Sequence, residues 1–252
     1  MSETVEKAAA LLLAARRDPA RLLTDLPEVL RPVDRAGAYA IQRAVAKTFP
    51  AIGGWKVSPF QPDGSPYCGP LPAAGILASP AALSGKVFTL RGVESEVAVR
   101  ISRDLPPRAT PYSREEVADA IAAFHPAIEV LQSRFVEPGA VGPMSGLADT
   151  QGHGAFVYGA PVTAWRGIDL LQVSVEQRVD GAVNATRTGH PGGDLLGQVA
   201  WLANEGSTWA GGLRAGQFVT CGSWTGANRV GPRARVRVSF TSIGEVELDF
   251  QD

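Results

Sequence analysis

Three acids in two strand-like runs are the residues most capable of chemistry. Glu94 and Glu96 stand one residue apart in "RGVESEVAVRISRDLP" (91–106), and Glu129 interrupts the aliphatic run of "HPAIEVLQSRF" (125–135). Side chains alternate faces along a strand, so Glu94, Glu96 and Ala98 share one face, and Val93, Ser95, Val97 and Val99 the other. A Glu-x-Glu pair on a strand can be no more than its wet face. Three acids on two strands of a single β core read instead as a cluster. Carboxylates cannot be buried together as bare anions, because repulsion and desolvation would neutralise them or unfold the site. A divalent cation removes the conflict, and an all-oxygen ligand set suits Mg²⁺ or Mn²⁺ rather than zinc.

The elements that must position these acids follow from periodicity. Residues 3–17 are helical by period, "DPARLL" starts a short second helix, and "DRAGAYAIQRAVAKTF" gives a third that stops before Pro50. "IGGWKV" is a glycine pair leading into a short strand. Residues 58–82 hold much of the proline and read as one long loop, the kind of segment that often carries function. Beyond residue 85 strands dominate: "KVFTL", "VESEVAVRI", "AIEVLQSRF", "GAFVYGAPV", "LQVSVEQRVDG", "QFVTCGSWTG" and "ARVRVSFTSIGEVELDF". "VDG" and "SIGE" are hairpin turns. Two helices interrupt them, "SREEVADAIAAF" with an N-cap at Ser113, and "GDLLGQVAWLANEG". The expected class is α+β, with a small helical N-terminal lobe over residues 1–75 and a β-rich catalytic core over 76–252.

Composition narrows the function. The chain has 252 residues, 45% of them hydrophobic, which is enough for a sizeable core. A net charge of -1 offers nothing to nucleic acid or to an anionic membrane. Cys68 and Cys221 make neither a disulfide framework nor a CxxC zinc pair. No stretch approaches the roughly 20 apolar residues of a membrane span. Glu3 and Glu6 precede the apolar N-terminal run, the reverse of a signal peptide, so the expectation is an amphipathic helix in a cytoplasmic protein.

The order of "GWKV", "VESEVAV" with "RDLP", "HPAIEVLQSRF", "LADTQGHGAFVYG", "GHPGGDLLGQVAWLANEG" and "LRAGQFVTCGSWTG" resembles the hydratase/decarboxylase branch of the fumarylacetoacetase superfamily. The resemblance spans nearly the whole chain. It implies rolled, mixed sheets with a small N-terminal domain, an Mg²⁺- or Mn²⁺-dependent site and a homo-oligomer, with association between hydratase and decarboxylase members. It places the metal ligands on Glu94, Glu96 and Glu129, the active-site lysine on Lys56 and the substrate-carboxylate contact around Ser223. The implied substrate is a small 2-oxo or 2-hydroxydienoic acid, whose carboxylate and adjacent oxygen chelate one metal. A lysine beside that metal is expected to have its pKa lowered so that it shuttles a proton near neutral pH.

Departures from the family pattern bear on the reaction. Ser58 takes a glycine position after the lysine, and "PYCG" replaces an acid-bearing turn, with Asp63 nearby in a different frame. The family's "ADN" is "ADT", keeping Asp149 and changing Thr150. Among the remaining candidates, Arg134 is a substrate anchor or a surface ion pair, Asp149 a substrate contact, and His153 a lining residue of the pocket. His190 reads as structural, His125 as a cap at a strand entry, and Cys221 as a small buried hydrophobe. The leading expectation is a hydratase adding water to a 2-hydroxy-2,4-dienoate. Its rivals are a decarboxylase of a 4-oxalocrotonate-like acid and a catalytically idle partner subunit. A hydrolase of the histidine–glutamate type is disfavoured, because no histidine precedes His125.

Overall fold

The computed structural model describes residues 2–251. The chain opens with α1 (Glu3–Arg17), capped by the Ser2 hydroxyl, and α2 (Arg35–Ala46), capped by the Asp34 carboxylate on the Gly37 N–H at 2.8 Å. Strands β1 (Ile52–Val57), β2 (Cys68–Pro72), β3 (Ile76–Ala78), β4 (Ala81–Ser84) and β5 (Gly92–Ile101) follow. After α3 (Arg114–Ala118) come β6 (Ile121–Leu131), α4 (Pro143–Ala148), β7 (His153–Tyr158), β8 (Ser174–Val179) and β9 (Ala182–Thr188). The chain ends with α5 (Leu195–Trp201), β10 (Phe218–Thr220), β11 (Asn228–Arg229), β12 (Arg235–Phe240) and β13 (Gly244–Gln251). No described helix is long and apolar enough to cross a membrane.

Two mixed sheets result, giving the α+β class. The larger runs β2-β1-β10-β5-β6-β7-β3, with β11 added beside β5; the smaller runs β4-β13-β12-β8-β9. Alternation along β5 and β6 explains their stacking. Val93, Val97 and Val99 with Ile128 and Val130 join Val236, Val238, Val246 and Leu248 of the smaller sheet in one buried core. The opposite face of β5 and β6 carries Glu94, Glu96, Ala98, His125, Ala127 and Glu129. That face is not wet: α1, α2 and α4 form a second core beside it, and the buried Gln42 amide of α2 donates to the carbonyls of Cys68 and Leu147.

Several elements differ from expectation. Residues 58–82 are not one loop, because β2, β3 and part of β4 lie within them. Pro70 and Pro72 are tolerated since β2 is an edge strand of the larger sheet. Strands β1 and β2 belong to that sheet although they precede residue 76, so the N-terminal helical part ends before β1, and α4 packs onto it from the later chain. "KVFTL" is a bend: Arg91, at φ 45°, donates to the carbonyls of Gly85, Phe88 and Val230 and folds the segment back. The helix at "SREEVADAIAAF" has its capping box at Ser113 and Glu116 but ends at Ala118, because Phe124 and Ala123 pair with Val99 and Arg100. His125 lies well inside β6, not at its entry.

Candidate metal centre

The register of the central strands assembles the acids. Glu94 on β5 stands directly opposite Glu129 on β6, and Glu96 is two residues along the same face. One ligand oxygen from each of the three lies within 4.8 Å of the others. Like charges in directly opposed positions repel, so this register is unfavourable without a compensating cation. Glu129 and Glu96 are fully buried and Glu94 is half-buried.

One compensating charge is built in. Lys56 on β1 donates from Nζ to Glu129 Oε1 at 2.8 Å, and both groups are buried. Because β10 lies between β1 and β5, it inserts Thr220, paired with Lys56 on one side and Ala98 on the other. The Thr220 hydroxyl donates to Glu96. His153 Nδ1 donates to the same Glu129 Oε1 at 3.0 Å. Glu129 Oε2 is left buried with no partner.

Burial sets the electrostatics. It pushes the Glu94 carboxyl up to about 7, opposed by Lys56 and reinforced by Glu129. Burial, then Glu129 and Glu94, hold Glu96 well above the ordinary carboxyl range. At Glu129 burial also pushes up, but the Lys56 charge and the hydrogen bonds from His153 and Lys56 outweigh it, and this carboxyl stays below its usual range. Burial lowers His153 below its ordinary range, against the opposing pull of Glu129. The expected lowering of Lys56 is opposed by its neighbours. Burial does pull it down, but Glu129, Glu94 and Glu96 together hold it above its ordinary value. One ammonium faces three acids, and the acids prevail.

This donor set fits a hard divalent cation. All three groups are carboxylates, they converge within one coordination sphere, and one buried oxygen lacks any partner. A consequence for pH follows. A carboxyl raised in the folded state lends stability that is complete below its unfolded pKa and is lost as pH rises through its folded value, here about 7 for Glu94. A cation takes the ionised carboxylates and reverses that loss. The rise in Tm on adding Mg²⁺ should therefore be small near about pH 5 and large near about pH 8. Melting curves in matched buffers check this, and a shift independent of pH contradicts it.

Other sequence candidates lie elsewhere. Arg134 and Asp149 are buried against each other. The guanidinium also donates to the carbonyls of Gln132, His153 (2.7 Å) and Asp149 (2.6 Å). Asp149 further accepts from the Ser133 hydroxyl and the Arg134 N–H, each at 3.0 Å. The pair therefore braces the turn before His153, and its groups are already engaged; the expected substrate-anchor role for Arg134 does not fit this arrangement. Ser223 follows β10, and its hydroxyl is buried and unpartnered. Asp63 is exposed and holds Arg35 at 2.8 Å. Thr220 escaped the sequence reading, since only the parallel β1–β10 pairing puts it between Lys56 and Glu96.

Known proteins resemble this chain to differing depths. Two curated relatives from Dechloromonas aromatica (strain RCB), 2-keto-4-pentenoate hydratase 1 and 2-keto-4-pentenoate hydratase 2, are 28% and 29% identical. The alignments cover 98% and 97% of this chain and 97% of each relative. Among solved structures, 4-oxalocrotonate decarboxylase from Pseudomonas putida G7, complexed with magnesium and adipate, superposes with a TM-score of 0.78 at 22% identity over 98% of both chains. Fumarylpyruvate hydrolase from Pseudomonas aeruginosa, in complex with Mn²⁺ and pyruvate, gives 0.56 at 13% identity over 80% of this chain and 90% of that one. Residues 72–251 match the family described as fumarylacetoacetate (FAA) hydrolase C-terminal, and the chain belongs to that family.

Proposed function

We propose that the protein is a metal-dependent hydratase adding water to a 2-hydroxy-2,4-dienoate of the 2-keto-4-pentenoate type to give a 4-hydroxy-2-oxo acid. The observation that carries this reading is the convergence of Glu94, Glu96 and Glu129 within 4.8 Å, with the Lys56 ammonium 2.8 Å from Glu129. The names of the full-length curated relatives support the same chemistry. The three glutamates would hold Mg²⁺ or Mn²⁺, which supplies Lewis acidity for the substrate's carboxylate and 2-oxygen.

The chain's own groups do the rest. Thr220 holds one oxygen of Glu96 and His153 one oxygen of Glu129, which orients the carboxylates. Lys56 is a buried ammonium beside the reacting atoms and moves the proton. Ketonisation takes the enol proton from O2 and delivers one to C5; water oxygen then bonds to C4 and a proton to C3, so one water is consumed. The unpartnered Ser223 hydroxyl is read as a donor to the substrate carboxylate.

Decarboxylation of a 4-oxalocrotonate-like acid is the second reading. It is favoured by the loop after Lys56, whose acid, Asp63, is turned outward to Arg35. The test supplies Mg²⁺ or Mn²⁺ and follows loss of dienol absorbance from 2-hydroxypenta-2,4-dienoate. A product heavier by one water supports hydration. Release of carbon dioxide from 4-oxalocrotonate without hydration of the dienoate replaces it, and no turnover of either acid by metal-loaded protein contradicts both.

A further inference from the structure

We propose that an apolar cavity beside the metal centre receives the non-reacting end of the substrate and selects an uncharged, apolar substituent over a second carboxylate. The inference rests on the metal-centred reading above and names the substrate class of that site. The cavity has a volume of about 280 Å³, and its walls include Tyr67, Leu131, Phe135, Val141, Leu147 and Gln151.

Continuity with the acids argues for the occupant. Leu131 is two residues beyond Glu129 on the same face of β6, and it faces Gly92 as Glu129 faces Glu94. A 2-oxo acid held at the carboxylates has two directions along this face. Toward Ala127 the way is closed by a buried cluster of Ala98, Ala127, Phe156 and Phe218. In the other direction lies Leu131, itself a wall of the cavity.

Charge argues for the class. Among the described residues, no lysine, arginine or histidine lines the cavity. The charged side chain at its border is Asp149, an anion already paired with Arg134. A terminal carboxylate placed there would lose its hydration and meet no cation.

The cavity wall also carries three neutral polar side chains, Tyr67, Ser133 and Gln151. Thr150, Gln151 and Gly152 have φ of 54°, 51° and 73°, three successive left-handed residues of which the first is β-branched. Asp149 enforces this turn, its carboxylate fixed by Ser133 and Arg134 and its carbonyl accepting from the Gly152 N–H at 3.1 Å. Thr150 fits because Gly69 lacks a side chain: a Cβ there would lie 2.6 Å from Thr150 Cγ2. The strain is spent on bringing Gln151 to the cavity wall. Its side chain is a neutral amide, so the turn adds no charge to that wall.

The test is calorimetric binding of unreactive 2-oxo acids to Mg²⁺-loaded protein: pyruvate, 2-oxoheptanoate and 2-oxopimelate. The alkyl acid should bind at least about tenfold more tightly than pyruvate, and the dicarboxylate should gain nothing. Gly146 of α4 lines the cavity and has open space where a Cβ would stand, so Gly146→Leu can be accommodated by the fold. That variant should erase the alkyl advantage while shifting pyruvate affinity by less than about twofold, and Gly146→Arg should transfer the advantage to the dicarboxylate. Tighter binding of the dicarboxylate by the unaltered protein, or Gly146→Leu weakening all three acids alike, overturns the proposal and leaves the metal centre standing. Failure of pyruvate itself to bind removes the metal-centred reading and the inference with it.

Discussion

Glu96→Gln is expected to weaken Mn²⁺ binding at least about 100-fold while the metal-free protein melts at or slightly above the temperature of the unaltered chain. The two halves of this result have one cause. Burial and two neighbouring carboxyls hold Glu96 well above its ordinary range, so the buried site disfavours its charge when no cation is present. A glutamine of the same shape removes that charge and still accepts the Thr220 hydroxyl. With a cation the comparison inverts, because the carboxylate must ionise to ligate and the amide cannot. Glu129→Gln differs in kind. It leaves Lys56 buried without its counter-ion and should destabilise the metal-free fold by about 3–5 kcal/mol. Calorimetric titration with Mn²⁺ and thermal melts of both variants separate the two behaviours. Full Mn²⁺ affinity in Glu96→Gln would show that Glu96 is not a ligand.

Lys56→Met should lower turnover of the dienoate by about 10²–10⁴-fold with Mg²⁺ or Mn²⁺ still bound. Methionine keeps the length of the side chain and loses the transferable proton. Lys56 is the ammonium that meets these acids, and it stands 2.8 Å from Glu129, one strand removed from the β5 acids. Its removal also lifts the main influence that holds Glu129 down, so metal binding should shift toward higher pH. Retention of wild-type turnover by Lys56→Met would assign the proton to another group. A loss of activity matched by a loss of metal would make Lys56 a support of the ligands instead.

Much of this site was legible before any coordinates, and the reasons are local. Strict alternation in "VESEVAV" fixed which side chains share a face with Glu94, and "IGGWKV" carried Lys56 on a short strand, which β1 extends back through the glycine pair to Ile52. Ser113 announced a helix start through capping chemistry. What could not be read depends on partners distant in sequence. Pro70 and Pro72 look like loop residues until β2 is known to be an edge strand. "AIAAF" satisfies a helical period, yet pairing with β5 draws it into β6. Arg134 resembles an anchor until the turn bearing Asp149 folds over it and engages its donors. Thr220 has no local signal at all, since its role exists only where β10 enters between β1 and β5. The raised pKa of Lys56 has the same origin, for it reflects three acids gathered around one amine.

The central claim is that three glutamates on neighbouring strands hold one hard cation next to a buried amine. Anomalous diffraction from crystals grown with Mn²⁺ tests it most directly. A single Mn²⁺ peak at ordinary coordination distance from carboxylate oxygens of Glu94, Glu96 and Glu129 together is the predicted result. Manganese bound elsewhere, or crystals of the folded protein with no peak among those three residues, would contradict it.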